Sequence, residues 1–343
     1  MGTRHAVLRK GHLGYSATME SFWSKLSRPF FVLAPMADVT DPAYRRLIAE
    51  TGKPDVTWTE FVSADGLYHT REKKGMKDEE NPLVRDLLYT EGERPIVAQF
   101  FSSNPEMMEY AAAFALERGF DGVDINMGCP DRSIEKQGAG AAHMKDPARA
   151  KEVIRAAING TQGKIPVSVK TRLGFNRFEY DTWLPALLEE DIAALTVHLR
   201  TRKEMSLVPA HWEVVPELVA IRDRVAQRVL LLANGDVKNL AEARAKVAES
   251  GLDGVMLGRG IFGNPWLFSD RTEVSASERL EALLTLARYF TELKPAKHYA
   301  ILKKHFKAFV QGYDGAAELR GRLMETNSYE ELEPIIKRTI ALV

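Results

Sequence analysis

Between residues 30 and 268, short β-branched runs alternate with longer amphipathic stretches, and this alternation constrains the fold more than any other feature of the chain. The pattern predicts strands over 31–34, 56–61, 96–101, 122–126, 167–171, 194–198, 229–233 and 254–257. Helices are expected over 42–50, 105–117, 147–158, 183–190, 212–222 and 240–249. Eight strands alternating with helices over roughly 240 residues are what a (β/α)8 barrel requires. A doubly wound open sheet is the rival for the same pattern. Parity helps to choose. In Val167-Ser168-Val169-Lys170-Thr171-Arg172 the valines share one face with Thr171, and Ser168, Lys170 and Arg172 share the other. The valines can cover a helix layer and leave Lys170 and Arg172 to point into a barrel mouth. The same reading puts Thr196 with His198 and turns Gln99 inward.

The segment 62–94 is long and charged, and reads as a mobile insertion on the active-site side. After Phe268 the strand pattern stops. Residues 269–277 read as a linker, with Ser277 ahead of Glu278 and an apolar helix. Beyond it only helical periodicity remains, as in Leu280, Leu283, Leu284 and Ala287, then Tyr299, Leu302, Phe306 and Phe309. The chain therefore divides into an N-terminal extension (1–28), a barrel (29–268) and a small all-α domain (276–343). The extension carries five basic residues and one acidic.

Composition narrows the function classes. Basic and acidic residues balance at 47 each, so any polyanion site needs local segregation of charge. The stretch 294–322 supplies it, with seven basic residues against two acidic, a net +5. Lys303, Lys304 and Lys307 are its candidate phosphate contacts. A single cysteine, Cys129, rules out an intramolecular disulfide and a Cys-rich zinc site, no metal is expected, and the usage fits a reducing cytoplasm. There is no apolar run of about 18 residues, so no membrane span is expected. The basic N-terminus lacks the apolar stretch of a secretory signal.

Polar or unusual residues recur at the carboxyl ends of the expected strands: Pro35-Met36, Gln99, Asn126, Lys170, His198, Asn234 and Gly258-Arg259. That end is where a (β/α)8 barrel builds its site, and polar groups inside hydrophobic strands are costly unless engaged. Asn234-Gly235-Asp236 and Gly258-Arg259-Gly260 follow the last two strands, the usual phosphate cradle of this fold. Gly258–Gly263 also fits GxGxxG, but a dinucleotide fold would need a further strand, and the chain turns helical instead.

Several segments together resemble the tRNA-dihydrouridine synthase family in order and spacing. They are Ala34-Pro35-Met36-Ala37, Asp124-Ile125-Asn126-Met127-Gly128-Cys129-Pro130, Gly138-Ala139-Gly140-Ala141-Ala142, Val169-Lys170-Thr171-Arg172-Leu173-Gly174, His198-Leu199-Arg200-Thr201-Arg202, Ala233-Asn234-Gly235-Asp236 and Gly258-Arg259-Gly260. The Asn-Met-Gly-Cys-Pro segment is the specific part. The resemblance implies an FMN-binding barrel followed by a helical domain that grips tRNA. It implies that Pro35, Met36, Gln99, Lys170, His198, Asn234, Gly235, Asp236, Gly258 and Arg259 contact FMN. Asn126, Arg172 and Arg200 would serve the uridine, with Cys129 as general acid. Reducing uracil needs a hydride at C6 and a proton at C5, and no side chain delivers hydride, so reduced FMN is expected, with NADPH or NADH as reductant. A thiol of ordinary pKa, roughly 8.5, is mostly protonated at neutral pH. The target base must leave its stack to enter the barrel.

The chain departs from the family at three places. Leu199 stands where glycine is usual, His143 replaces an apolar residue, and 205–210 is unlike common members. Two other functions are weighed: a flavin barrel acting on a free pyrimidine, as in the dihydroorotate dehydrogenase group, and a tRNA-binding factor without catalysis. A monomer bound to tRNA is the simplest assembly.

Overall fold

The computed structural model describes residues 21–342 apart from Glu249, Asp270 and Thr272. Residues 1–20 of the expected extension lie outside the described residues. The strands are β1 (Phe30–Leu33), β2 (Thr57–Trp58), β3 (Val62–Ser63), β4 (Ile96–Phe101), β5 (Gly122–Asn126), β6 (Val167–Arg172), β7 (Ala194–His198), β8 (Leu230–Asn234) and β9 (Gly254–Leu257). All pairings are parallel, in the order β1-β9-β8-β7-β6-β5-β4-β2, and β3 pairs with the end of β4. The Asp55 amide donates to the Phe31 carbonyl at 3.0 Å and that of Leu33 to Val56 at 3.2 Å, which brings β1 against β2 and closes the cylinder. The barrel is therefore the fold, and the open sheet is not. The strand expected over 56–61 is two short pieces. The Thr59 hydroxyl accepts the Gln99 amide at 3.0 Å, so a side chain replaces a rung of the ladder there.

Four outer helices begin the same way. Asp41, Asn81, Asn104 and Asp146 each precede a proline, and each side chain accepts an amide of the first turn. The cap satisfies an orphan donor, worth about 1 kcal/mol, and the proline has no amide to lose. These open α1 (Pro42–Thr51), α3 (Pro82–Arg85), α4 (Pro105–Glu117) and α6 (Pro147–Thr161). With α2 (Ala64–Tyr68), α5 (Arg132–Glu135), α7 (Tyr180–Leu188), α8 (Val215–Ala226) and α9 (Leu240–Ala248) they surround the sheet.

The expected parity holds. Val167, Val169, Leu195 and Val197 pack outward against the helices. Phe30, Val32, Trp58, Val97, Leu230, Leu232 and Met256 fill the interior, and Trp23 joins them, its ring 5.2 Å from Phe30 and 6.2 Å from Trp58. Part of the expected extension is thus barrel core. Arg172, His198 and Asn234 lie side by side across β6, β7 and β8.

The segment 62–94 is not a bare loop. It folds into short helical turns tied within and beyond the segment: Arg71 donates to Asp78 at 2.8 Å and to Tyr110 at 2.5 Å, and Glu93 accepts from buried Arg45 at 2.9 Å. The C-terminal helices are α10 (Ala276–Glu292), α11 (Lys303–Phe309), α12 (Ala316–Glu325) and α13 (Tyr329–Ile340). Helix α10 starts on Ser275 rather than Ser277. Ser275 and Glu278 cap each other's amides, and Ser277 lies inside the first turn. Leu280, Leu283, Leu286 and Phe306 share one core with Leu33, Tyr44, Leu47, Ile48 and Trp266. The helical region is therefore built onto the outer wall of the barrel. No helix among the described residues is long and apolar enough to cross a membrane.

Candidate active site

The carboxyl ends of β1 and β6 to β9 enclose a cavity of about 500 Å³. Pro35, Met36, Lys170, His198, Asn234, Gly235, Asp236, Gly258 and Arg259 all line it, together with Arg172 and Arg200. Gln99 does not. It is fully buried, its amide donating to Asp124 at 2.6 Å and its carbonyl accepting from Asn126 at 3.2 Å. Asp124, pushed up to about 6 by burial, also accepts from Ser168, so this group is a structural layer beneath the cavity.

Cys129 is not among the lining residues. It sits half-buried on the loop after β5, beside Phe61, Phe101, Ile134 and Ala139. That loop is tightly specified. The Asn126 side chain accepts the amides of Gly128 (3.2 Å) and Cys129 (2.9 Å), an Asx turn. Arg172 Nε donates to the Gly128 carbonyl at 2.7 Å, and the Met127 amide to the Lys170 carbonyl at 2.8 Å. Gly140, at φ 59°, packs so close that a Cβ would lie 2.8 Å from the Cys129 carbonyl. Asn126 therefore acts here as a loop anchor. Burial pushes the thiol above its ordinary range, against the pull of the Asp131 amide and of the Arg172 and Lys170 charges.

Cations dominate the cavity. Lys170 is half-buried and makes no hydrogen bond or ion pair among the described residues; burial and the Arg172 charge push it down to about 8. Arg172 is pushed down to about 10 by burial, with Cys129 opposing and Arg200 adding to the shift. Burial and four neighbouring cations hold His198 well below its usual range, so the imidazole is neutral at pH 7. Arg200 Nη1 lies 3.2 Å from His198 Nε2. A guanidinium only donates, so Nε2 accepts and Nδ1 carries the proton.

Arg172 and Arg200, expected to face the substrate, spend donors on the protein. Arg172 Nη1 donates to the carbonyls of Thr201 (3.2 Å) and Met205 (2.9 Å), and Arg200 to that of Val208 (2.6 Å) and to Asp236. Both thereby brace the loop after β7. Asp236 also accepts from Arg259 and from the Ala210 amide at 2.8 Å. Burial works against its charge, yet these donors hold it below the usual carboxylate range. At Gly235, φ 145°, a Cβ would meet that of Ala210 at 2.7 Å.

The tail lysines separate. Lys303 donates to the Met324 carbonyl at 2.8 Å and Lys304 pairs with Asp38 at 2.9 Å, while exposed Lys307 has no partner among the described residues. Lys297, counted in the basic segment, is buried between Glu60 (2.7 Å) and Asp86 (3.3 Å). The net +5 of that stretch overstates its free charge.

A family model described as dihydrouridine synthase matches residues 32–341. The chain belongs to the dihydrouridine synthase family. It is 42% identical over 323 residues to a probable tRNA-dihydrouridine synthase 2 of Bacillus subtilis, covering 92% of this chain and 96% of that one. It is 39% identical over 321 residues to a probable tRNA-dihydrouridine synthase of Staphylococcus epidermidis, covering 92% and 95%. Among solved structures, histamine dehydrogenase from Rhizobium sp. 4-9 superposes with a TM-score of 0.50 at 13% identity, over 76% of this chain and 48% of that one, a likeness of fold alone.

The three departures from the dihydrouridine synthase pattern now have places. Leu199 is fully buried in the outer core, so strand parity turns it away from the cavity. His143 is buried, Nε2 3.0 Å from the Ser102 carbonyl. The 205–210 segment forms part of the braced loop at the rim. Two polar lining residues are not singled out by the sequence reading, Ser206 and Lys238. A lysine two positions past Asn-Gly-Asp is a usable signal for the second, and the first falls within the unusual 205–210 segment.

Proposed function

We propose that the chain is an FMN-dependent tRNA-dihydrouridine synthase, reducing the C5–C6 bond of a uridine in tRNA with NADPH or NADH as reductant. The observation that carries this reading is one cysteine fixed beside a cationic cavity at a single barrel end. Family membership and relatives named for that activity support it.

The residues present fit the cofactor. Lys170 offers a cavity cation with no protein partner, and Arg259 stands 63% exposed, oriented by Asp236, beside small residues that admit a phosphate. Pro35, Met36, Lys170, His198, Asn234, Gly235, Gly258 and Arg259 would hold FMN, with Lys170 as counter-charge to its pyrimidine edge. When bound, FMN supplies the hydride for C6.

Cys129 then gives its proton to C5: the S–H bond breaks, a C–H bond forms, and the thiolate is reprotonated from water. Its raised pKa keeps the acid form through neutral pH, and the Arg172 and Lys170 charges stabilise the thiolate left behind. Neutral His198 can donate from Nδ1 without adding to the positive charge. Cys129→Ala is expected to keep bound flavin and tRNA affinity while dihydrouridine formation falls about 10²- to 10⁴-fold. Unchanged turnover removes Cys129 from the mechanism. Equal rates on free uracil or dihydroorotate and on tRNA would refute the tRNA reading.

A further inference from the structure

The loop after β7 exposes two large apolar side chains, Leu207 at 84% and Met205 at 47%. The loop is held from several sides. Arg172 and Arg200 grip the carbonyls of Thr201, Met205 and Val208, and Glu204 accepts the Thr201 amide at 2.8 Å. The Lys203 amide donates to the Phe175 carbonyl at 2.9 Å, tying this loop to the one after β6. Met205 adopts φ 53°, a left-handed conformation that a non-glycine keeps only where its surroundings dictate it. Ser206, between the two apolar residues, lines the cavity. Met205 and Leu207 therefore stand at the cavity's lip on a braced loop. Nearby are exposed Lys203, the 85% exposed side chain of Arg177, and Phe178, 41% exposed with its ring centroid 4.9 Å from that of His211.

Aliphatic tips flanked by cations beside a base-sized opening are the chemistry that parts stacked bases: cations meet phosphates while the tips fill the space between bases. We propose that Met205 and Leu207 form an apolar wedge that enters the base stack of the RNA substrate and fills the gap left when the target pyrimidine turns into the cavity. The proposal rests on the uridine-reducing reading of that cavity. The flanking charges and the continuity of lip and cavity commit it to RNA as the occupant.

The test uses Leu207→Ser and the double variant Leu207→Ser, Met205→Ser. Both side chains are exposed, so melting temperature and flavin content should match wild type. The uridine modified by wild type is mapped first, and 2-aminopurine is placed next to it in a tRNA transcript. Wild type should raise the 2-aminopurine emission on binding, and the double variant should not. Its kcat/KM on folded tRNA should fall roughly 10- to 100-fold, and the deficit should shrink to about twofold on a short single-stranded RNA whose uridine is already unstacked. Equal emission and equal rates on folded tRNA would overturn the wedge, as would the same loss on both RNAs. If wild type reduces no uridine in tRNA, the reading of the cavity itself fails; if wild type works and the variants keep pace, only the wedge fails.

Discussion

Lys297→Met tests how the helical region supports the cavity end of the barrel. Lys297 Nζ lies 2.7 Å from Glu60, 3.3 Å from Asp86 and 3.8 Å from Asp41; Lys297, Glu60 and Asp41 are nearly dry, and Asp86 is partly exposed. Glu60 in turn accepts the amide of Asp38, in the turn that begins at Met36, which lines the cavity. Burial pushes Glu60 up to about 7 even with Lys297 opposing, and burial raises Asp41 as well. Between its unfolded value, roughly 4.3, and about 7, Glu60 binds more proton when folded than when unfolded. Its contribution to stability is therefore greatest at low pH and falls as pH rises to about 7. Without Lys297 the native pKa climbs further and the decline continues past pH 7, by about 1.4 kcal/mol for each added unit. Breaking one partner of a buried pair costs about 3–5 kcal/mol. Through the Glu60 titration alone, the deficit of Lys297→Met should be nearly level below about pH 6, where Glu60 is protonated in both proteins, and should grow by about 1.4 kcal/mol on reaching pH 8. Urea unfolding followed by tryptophan emission at four pH values between 5 and 8 measures it. A deficit independent of pH, or below about 1 kcal/mol at pH 8, refutes the reasoning.

Two further outcomes are expected. Lys170→Met should weaken FMN binding at least about tenfold, read from the recovery of free-flavin fluorescence, since it removes the cavity cation without a protein partner; an unchanged Kd rejects its cofactor role. Lys307→Ala should lower the salt slope of tRNA binding by about one and leave the melting temperature alone, whereas Lys303→Ala should also loosen the end of α12, where its amine meets the Met324 carbonyl.

Much of this architecture was legible because it rests on local rules. Alternation marks the eight barrel strands, and the amphipathic stretches start helices at 42, 105 and 147, where caps on Asp41, Asn104 and Asp146 fix them. Parity turns Lys170, Arg172 and His198 to the inner face, and the register sets Arg172 beside His198 with Lys170 beside Thr196 one layer below. The misreadings came from non-local partners. Nothing in the composition of 294–322 shows that Lys297 meets Glu60 from 237 residues away, or that Lys304 meets Asp38 across 266. Gln99 faces inward as parity requires, yet lies a layer too deep, because height along a barrel depends on the register between strands. Arg172 and Arg200 line the cavity, and sequence alone does not reveal which backbone carbonyls their guanidinium groups also reach.

The arginines explain how so much positive charge coexists at one barrel mouth. Lys170, Arg172, Arg200, Lys238 and Arg259 share a lining whose one carboxylate is Asp236. Burial first, and repulsion between like charges after it, lower the pKa of Lys170 and Arg172 and keep His198 neutral. Arg200 and Arg259 are neutralised in part by Asp236, and Arg172 disperses its charge over three carbonyls. Lys170 makes no hydrogen bond or ion pair among the described residues, and the charge of Asp124 in the layer below supports it. An anion beside it would relieve repulsion and gain attraction together, so the arrangement of charges sets the cavity's preference for a negatively charged occupant.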